Sequence, residues 1–309
     1  MKICLVVNDK LPVKNYGGTQ RIVQWLAKEF VFKGHQVTLI AKPGSHLPGV
    51  TTIGANTAQE AHAAIPADVD IVHFHAWEPQ QAFEKPWIYT LHGNSSNLSE
   101  LPTNTVCISA DHAKRHQCKT YVYNGVDPGE FIFQENKQNH LLFFSKVRRR
   151  VKGAKRALQL AKAYDQPLVV AGGYRLDLLK VGGFMESLRK DVTFLGEISG
   201  EKKALCFAQA KALLFPIDWN EPFGLVMIES LLSGTPVIAT ARGSTPELVN
   251  SDVGAFFERD EEFGDALAHA LTCRPSVCRD WAVTHFSSSV CAQNYLKVYE
   301  RVLNGENIF

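Results

Sequence analysis

The sequence has no apolar run near the ~20 residues that a membrane-spanning helix needs. Its opening stretch, Met1-Lys2-Ile3-Cys4-Leu5-Val6-Val7-Asn8, is too short for a signal peptide and breaks at once into Asp9-Lys10. The expectation is a cytoplasmic protein, with a peripheral contact at the inner face of the membrane left open. An excess of one charge is missing as well. The 33 basic and 31 acidic residues leave a formal net charge of +2, which gives no global reason to expect nucleic acid as a partner. Any anion site must therefore be local. Paired cysteines are also absent: Cys4, Cys107, Cys118, Cys206, Cys273, Cys278 and Cys291 are scattered, with no Cys-x-x-Cys. They read as reduced thiols and as neither a zinc nor a redox motif.

What is present is a rhythm. At 309 residues the chain suits two α/β domains of roughly 100–200 residues each, and two domains imply a cleft. Apolar runs of strand length return at 2–7, 37–41, 70–75, 87–93, 106–109 and 120–123, separated by helical or irregular connections. After a turn cluster at Asn124-Gly125-Val126-Asp127-Pro128 and a polar stretch at 134–140, they resume at 141–144, 168–173, 192–196, 212–216 and 236–239. This alternation predicts an α/β protein with two doubly wound, Rossmann-like parallel sheets. No sequence repeat relates the halves. The polar stretch is the natural linker, so the expected domains are 1–135 and 136–290, followed by a helical tail at 291–309. Tyr295, Leu296, Val298, Tyr299 and Val302 give that tail an apolar face that core packing explains.

The most informative stretch runs from Pro216 to Ala239. An apolar run ends at Pro216, the chain turns at Asn220-Glu221-Pro222, helical periodicity begins at Phe223, and β-type residues return at Pro236. Glu221 falls in the loop and Glu229 two turns into the helix, so two carboxylates reach one crevice from different elements, as a polyhydroxylated ligand requires. Gly17-Gly18-Thr19 stands where the first helix begins, at the carboxyl edge where open α/β sheets bind ligands. Glycines there let backbone N–H groups approach an anion, although a plain turn is the competing reading. Ser145-Lys146-Val147-Arg148-Arg149-Arg150-Val151-Lys152-Gly153 places five basic residues between a strand and a helix. That position favours a diphosphate touching Lys146, Arg149 or Lys152 over a solvated loop or a patch for anionic lipid. Spacing does not rank Arg148, Arg149 and Arg150. His92, followed by Gly93, reads as a substrate contact, and His75 as a structural strand-end residue. Asp68-Val69-Asp70 imitates a metal-binding Asp-x-Asp but leads into a strand instead of following one, so no metal is assigned to it.

Taken in order, Gly17-Gly18, His92-Gly93, Asn124-Gly125-Val126-Asp127, the basic loop from Lys146 to Lys152, Glu221-Pro222-Phe223-Gly224 with Glu229, and Gly234-Thr235-Pro236-Val237 resemble the retaining glycosyltransferases of the GT-B fold. The closest group is the large one that includes bacterial mannosyl- and glucosyltransferases and sucrose synthase. The resemblance spans nearly the whole chain. Its most specific part is Glu-Pro-Phe-Gly with a second glutamate eight positions after the first, followed by Gly-Thr-Pro. It implies two domains facing across a cleft and a last helix crossing back to the first. It also implies transfer of a hexosyl unit from a nucleoside-diphosphate sugar, with a UDP-sugar favoured, to a glycan, lipid or small-metabolite acceptor. Neither cofactor nor metal is implied. By the same resemblance Glu229 would bind the ribose hydroxyls, Glu221 would face the donor sugar, and Lys146 with Lys152 would neutralise the diphosphate. Backbone N–H groups near Phe223, Gly224 and Leu225 would reach sugar and phosphate, Gly18 beside Gly17 would close over the phosphate, and His92 would touch the transferred sugar. The base would sit near Gly173-Tyr174 and Gly196 to Ile198. Loops at 10–16, 77–83 and 94–100 would shape the acceptor site.

The family usually has Gly-Arg where this chain has Ser145-Lys146, and its next lysine lies one residue nearer than Lys152. Either the loop carries an extra residue or one of the arginines takes the missing guanidinium's role, because a lysine offers a point charge and no fork. Breaking the bond from anomeric carbon to phosphate builds negative charge on the diphosphate and oxocarbenium-like charge on the sugar. Each cation aimed at the first of these is worth ~3 kcal/mol. Two rival readings remain: a sugar-nucleotide epimerase on the same fold, and a catalytically idle nucleotide-binding relative. A phosphorylase would need a pyridoxal lysine and a much longer chain.

Overall fold

A computed structural model describes residues 1–13, 17–79 and 83–308. Lys14, Asn15, Tyr16, Gln80, Gln81 and Ala82, which belong to two of the expected acceptor loops, lie outside the described residues, as does Phe309. The chain forms two compact units. The first joins Met1–Asp127 to Phe286–Phe309, and the second is Pro128–His285.

The described residues form one six-stranded parallel sheet in each unit. The first contains β1 (Lys2–Val6), β2 (Gln36–Ala41), β3 (Thr51–Gly54), β4 (Ile71–Phe74), β5 (Trp87–Thr90) and β6 (Thr105–Val106), in the order β3-β2-β1-β4-β5-β6. The second contains β7 (Leu141–Phe144), β8 (Leu168–Ala171), β9 (Val192–Gly196), β10 (Ala212–Phe215), β11 (Val237–Ala239) and β12 (Gly254–Phe256), in the order β12-β11-β10-β7-β8-β9. Counted within its own unit, each sheet has the doubly wound order 3-2-1-4-5-6. The order reverses between β1 and β4 and between β7 and β10, the switch points beside which such sheets bind ligands.

The central strands are legible because both faces are covered. β4 (IVHF), β7 (LLFF) and β10 (ALLF) are buried at every position, which leaves no polar alternation in their sequences. In the second unit Phe143, Val147, Leu158, Leu214, Ile238 and Phe263 join one core, each contributing roughly 1.5–3 kcal/mol by burial. The last helix, Ser288–Leu303, belongs to the first unit and packs on the helix Gly18–Phe32. Its Tyr295 and Tyr299 are fully buried, with hydroxyls hydrogen-bonded to Thr90 at 2.9 Å and His73 at 2.7 Å. Among the described residues no helix is long and apolar enough to cross a membrane.

Several expected elements need correction. β3 and β12 are short, partly exposed strands with too few apolar residues to stand out by pattern. The expected strand at 106–109 reduces to β6, and that at 120–123 to a single bridge between Cys107 and Tyr121. Ser109 turns instead into a helix cap, its hydroxyl accepting the His112 N–H at 3.1 Å at the start of Ala110–Arg115. The polar stretch 134–140, expected as a linker, is fastened to the second unit. Lys137 Nζ donates to Ala208 O, Ser233 O and Thr235 Oγ1, each at 2.9 Å, and Gln138 N donates to Gln209 O at 2.7 Å. Burial lowers the Lys137 pKa to about 8.

Candidate active site

At the second sheet's switch point β7 runs into the basic loop 145–153, and β10 into the loop 216–224. Leu141 pairs with Ala212 and Leu142 with Leu213, so the two loops leave adjacent parallel strands at the same edge. Backbone contacts then hold them together. Asp218 N donates to Val151 O at 2.8 Å. Gly153, at φ +80°, passes so near Pro216 that a Cβ would stand 2.1 Å from its carbonyl oxygen, so a side chain is excluded on both counts.

This approach joins the side chains. Lys152 Nζ lies 2.6 Å from Glu221 Oε2, with both side chains largely buried. Trp219 Nε1–H donates to the same carboxylate oxygen at 2.9 Å. The Lys152 ammonium stands 4.4 Å from the centre of the Trp219 ring and the Arg149 guanidinium 5.2 Å from it. Arg149 is thus the arginine that shares this aromatic platform. Burial lowers the Lys152 pKa, the Glu221 carboxylate opposes that, and Arg149 and Lys146 push it down again. The three cations singled out in the sequence share one field, and an added anion would relieve their crowding.

The loop behind Glu221 is equally constrained. Ser244 N donates to Glu221 O at 3.0 Å, and Ser244 Oγ donates to Phe223 O at 2.7 Å. Gly243, at φ +61°, lies where a Cβ would be 2.4 Å from Glu221 N. Gly224 begins the helix Leu225–Leu232 in the left-handed region, and that helix has no acidic residue in its first turn and no side-chain cap. Its first N–H groups and the positive end of its dipole suit an anion. Phe223 is buried and precedes the helix, so Glu229 stands one turn into it, not two.

Glu229 has a partner of its own. It is buried and ion-paired with Lys203 of the helix Gly200–Gln209, whose ammonium faces the rings of Phe131, Phe144 and Phe207 at 5.7, 5.5 and 5.9 Å. Each glutamate therefore has its own cation, Lys152 for Glu221 and Lys203 for Glu229. At the neighbouring strand exits Gly173 bridges Gly196, and the Tyr174 ring lies against Gly196, where a Cβ would meet its Cε1 at 2.8 Å. Tyr174 is 61% exposed and so offers a face for stacking. Ile198 follows, half-buried, just before the helix that carries Lys203. Gly234-Thr235 is explained by packing, since Thr235 Oγ1 donates to Phe207 O at 2.6 Å and accepts from Lys137.

Of the residues expected at the donor, Gly17, Gly18 and His92 belong to the first unit and the others to the second. Gly17 caps the helix Gly18–Phe32 with extended backbone and no side-chain cap. His92 Nε2 lies 2.9 Å from His75 Nδ1, so His75 is hydrogen-bonded as expected of a structural strand-end residue, and its partner is His92. Burial keeps the His75 pKa far below its ordinary value, and burial with the nearby His112 lowers that of His92 to about 3, so both rings are neutral and one donates to the other. His75 Nε2 is buried with no partner among the described residues. Asp68 is ion-paired with Lys2 at 2.5 Å, and Asp70 accepts the Lys2 backbone N–H at 2.7 Å. Trp219 and Lys203 are the site residues that sequence reasoning missed. Trp219 stood two positions before Glu221 as a usable signal, whereas nothing local marks Lys203.

The profile of the family described as Glycosyl transferases group 1 matches residues 129–282. An uncharacterized glycosyltransferase of Methanocaldococcus jannaschii is 21% identical over 83% of this chain and 85% of its own length. Two solved structures share the fold. AviGT4, a glycosyltransferase involved in avilamycin A biosynthesis, is 24% identical with a TM-score of 0.82, covering 98% of each chain. Anabaena HepE in complex with UDP-glucose is 16% identical with a TM-score of 0.70, covering 97% of this chain and 99% of that one. The fold is GT-B. With the switch-point loops of its second unit inside the matched segment, the chain belongs to the group 1 glycosyltransferases and is a glycosyltransferase enzyme.

Proposed function

We propose that this glycosyltransferase moves a hexosyl unit from a UDP-sugar to an acceptor hydroxyl, with retention of anomeric configuration and without a metal in the transfer step. The observation that carries this reading is the joining of Lys152, Glu221 and Trp219 at the switch point, with Arg149 over the same indole. A cluster of cations stands there beside a helix start and one neutralised carboxylate. In the proposed complex the diphosphate takes the Lys146, Arg149 and Lys152 charges and the N–H groups at Gly224 and Leu225. Glu221 then faces the sugar hydroxyls, Glu229 the ribose hydroxyls, and Tyr174 with Gly173, Gly196 and Ile198 the base. His92 is a proposed donor to the transferred sugar, and Gly18 a proposed phosphate contact.

In the reaction the bond from the anomeric carbon to the β-phosphate oxygen breaks, and the acceptor oxygen bonds to the same face of that carbon. The acceptor's proton passes to the departing diphosphate. Negative charge grows on the leaving group, where the cations and the helix dipole are already aimed, so stabilisation needs no reorganisation. Two ammonium or guanidinium contacts at ~3 kcal/mol each lower the barrier by about four orders of magnitude.

The experiment is a panel of UDP-, GDP- and ADP-sugars followed by NMR for nucleotide release and for the anomeric configuration of the product. The expected result is release of UDP, an axial donor bond conserved as axial in the product, and a rate unchanged by adding or omitting Mg2+ or Mn2+. An inverted product, or conversion of one UDP-sugar into another with no transfer, would sink the proposal.

A further inference from the structure

Apart from the residues assigned to the donor, the first unit gathers four side chains that are competent metal ligands. We propose that Cys107, His112, His116 and Cys118 form a tetrahedral zinc site. One ligand atom from each of Cys107, His112 and His116 lies within 4.8 Å of the others, and all three residues are buried. Cys118 packs in the same buried cluster as Cys107, its thiol now donating to His116 O at 3.5 Å, and turning that thiol toward the three supplies the fourth ligand. Zinc bonds of 2.0–2.3 Å set ligand separations of about 3.3–3.8 Å in a tetrahedron, so a contraction of about 1 Å completes the site.

The backbone explains how these residues meet. Ser109 caps the helix Ala110–Arg115, which puts His112 and the capping residue His116 one turn apart, with ring centres 4.3 Å from each other. Gln117, at φ +57°, ends the helix, and Cys118 N donates to Ala113 O at 3.0 Å. The chain then returns along Cys107, which donates to Thr120 O at 3.0 Å and accepts from Val122 N at 2.9 Å. The resulting spacing, Cys-x4-His-x3-His-x-Cys, contains no Cys-x-x-Cys, which is why the thiols read from sequence as merely reduced.

The ring tautomers also suit a metal. His112 Nε2–H donates to Gly93 O at 3.0 Å, and His116 Nδ1–H donates to His112 O at 2.8 Å. Bonds of this kind orient metal-bound imidazoles. The lone pairs left are on His112 Nδ1, which meets the Ile108 N–H at 3.3 Å, and on His116 Nε2, which accepts the Ser95 N–H at 2.9 Å. Zinc displaces both donors, and half-exposed Ser95 can turn its N–H to water. Two thiol protons leave to solvent as two Zn–S bonds form, so the ion and its thiolates are neutral together. Arg115 acts on the Cys107 sulfur and is paired with Asp111 at 2.6 Å. Its Nη2 is buried without a partner among the described residues, and a thiolate is an acceptor for it. The two-sulfur, two-nitrogen set selects zinc over magnesium or calcium. The role is structural, tying the helix Ala110–Arg115 and its C-terminal turn to the Cys107 strand end, and no step of sugar transfer runs through it.

The test uses the full chain purified under reducing conditions without chelators. Elemental analysis should find one zinc per chain, and the zinc-stripped protein should take up Co2+ with ligand-field bands and a sulfur-to-cobalt charge-transfer band. Cys107→Ser and His116→Gln should each weaken binding by more than about 100-fold, beyond what loss of an outer partner does. Circular dichroism of both variants checks that they fold, and the wild-type measurements stand without them. The proposal is overturned if wild-type protein holds no zinc and gives no cobalt spectrum, if Cys107 and Cys118 are found only as a disulfide, or if folded Cys107→Ser binds metal as tightly as wild type.

Discussion

Lys152→Ala separates the two charges that meet at the switch point. Glu221 accepts from Lys152 at 2.6 Å and from Trp219 at 2.9 Å. Removing the ammonium deletes one attraction to the diphosphate, ~3 kcal/mol or about 100-fold in UDP affinity. It also uncovers the carboxylate. A unit charge about 6 Å from a phosphate, at an effective dielectric of 20, repels it by ~3 kcal/mol, and residual water and salt leave roughly half of that, about tenfold. Calorimetry should therefore find UDP binding weakened about 1000-fold in Lys152→Ala and recovered about tenfold in Lys152→Ala/Glu221→Gln. Glu221→Gln alone should leave UDP binding within about threefold while abolishing the preference for UDP-sugar over UDP. If Glu221→Gln brings no recovery in the Lys152→Ala background, the carboxylate and the diphosphate do not share a field and the donor assignment fails.

Lys203→Met should strand the Glu229 carboxylate in the interior and lower stability by ~3–5 kcal/mol in urea titrations, whereas Lys203→Met/Glu229→Gln should recover most of that loss. If Glu229 holds the ribose, removing both ribose hydroxyls from the donor should weaken binding to wild type but not to Glu229→Ala; equal losses in both proteins would refute that role. Acid should destabilise the first unit through His73, His75 and His92, which burial holds below the ordinary histidine pKa, His92 at about 3. The unfolded chain binds the extra protons below pH 6.5, so stability is lost as pH falls, by ~1.2 kcal/mol per histidine between pH 7 and 5.5 and ~4 kcal/mol in all. A urea midpoint that implies a change under ~1 kcal/mol over that range would show that these rings are not neutral in the folded protein.

Charge and apolar rhythm are properties of the sequence itself, and they were the legible part. The central strands announced themselves because a strand covered on both faces admits almost no polar residue, as in Leu141-Leu142-Phe143-Phe144. β3 and β12 did not, because a partly exposed edge strand has no such requirement. The basic loop was plain from its five charges, and its place after a strand pointed to an anion. The stretch 134–140 misled for a related reason. Its polarity matched a linker, yet Lys137 is spent on carbonyls of the second unit, which a composition argument does not register.

The sequence by itself determined that this chain folds into two parallel α/β sheets and that cations, glycines and two glutamates stand where strands give way to helices. Only the tertiary structure decided the partners. Trp219 arrives from the exit of β10 to support cations from the exit of β7, Lys203 neutralises Glu229 from another helix, and Cys118 returns to Cys107 round a helix end. The physical reason is that hydrophobic patterning acts along the chain, through the period of a strand or helix. Ion pairs, hydrogen bonds and ligand sets act through space, over a few ångströms that only the folded backbone brings together.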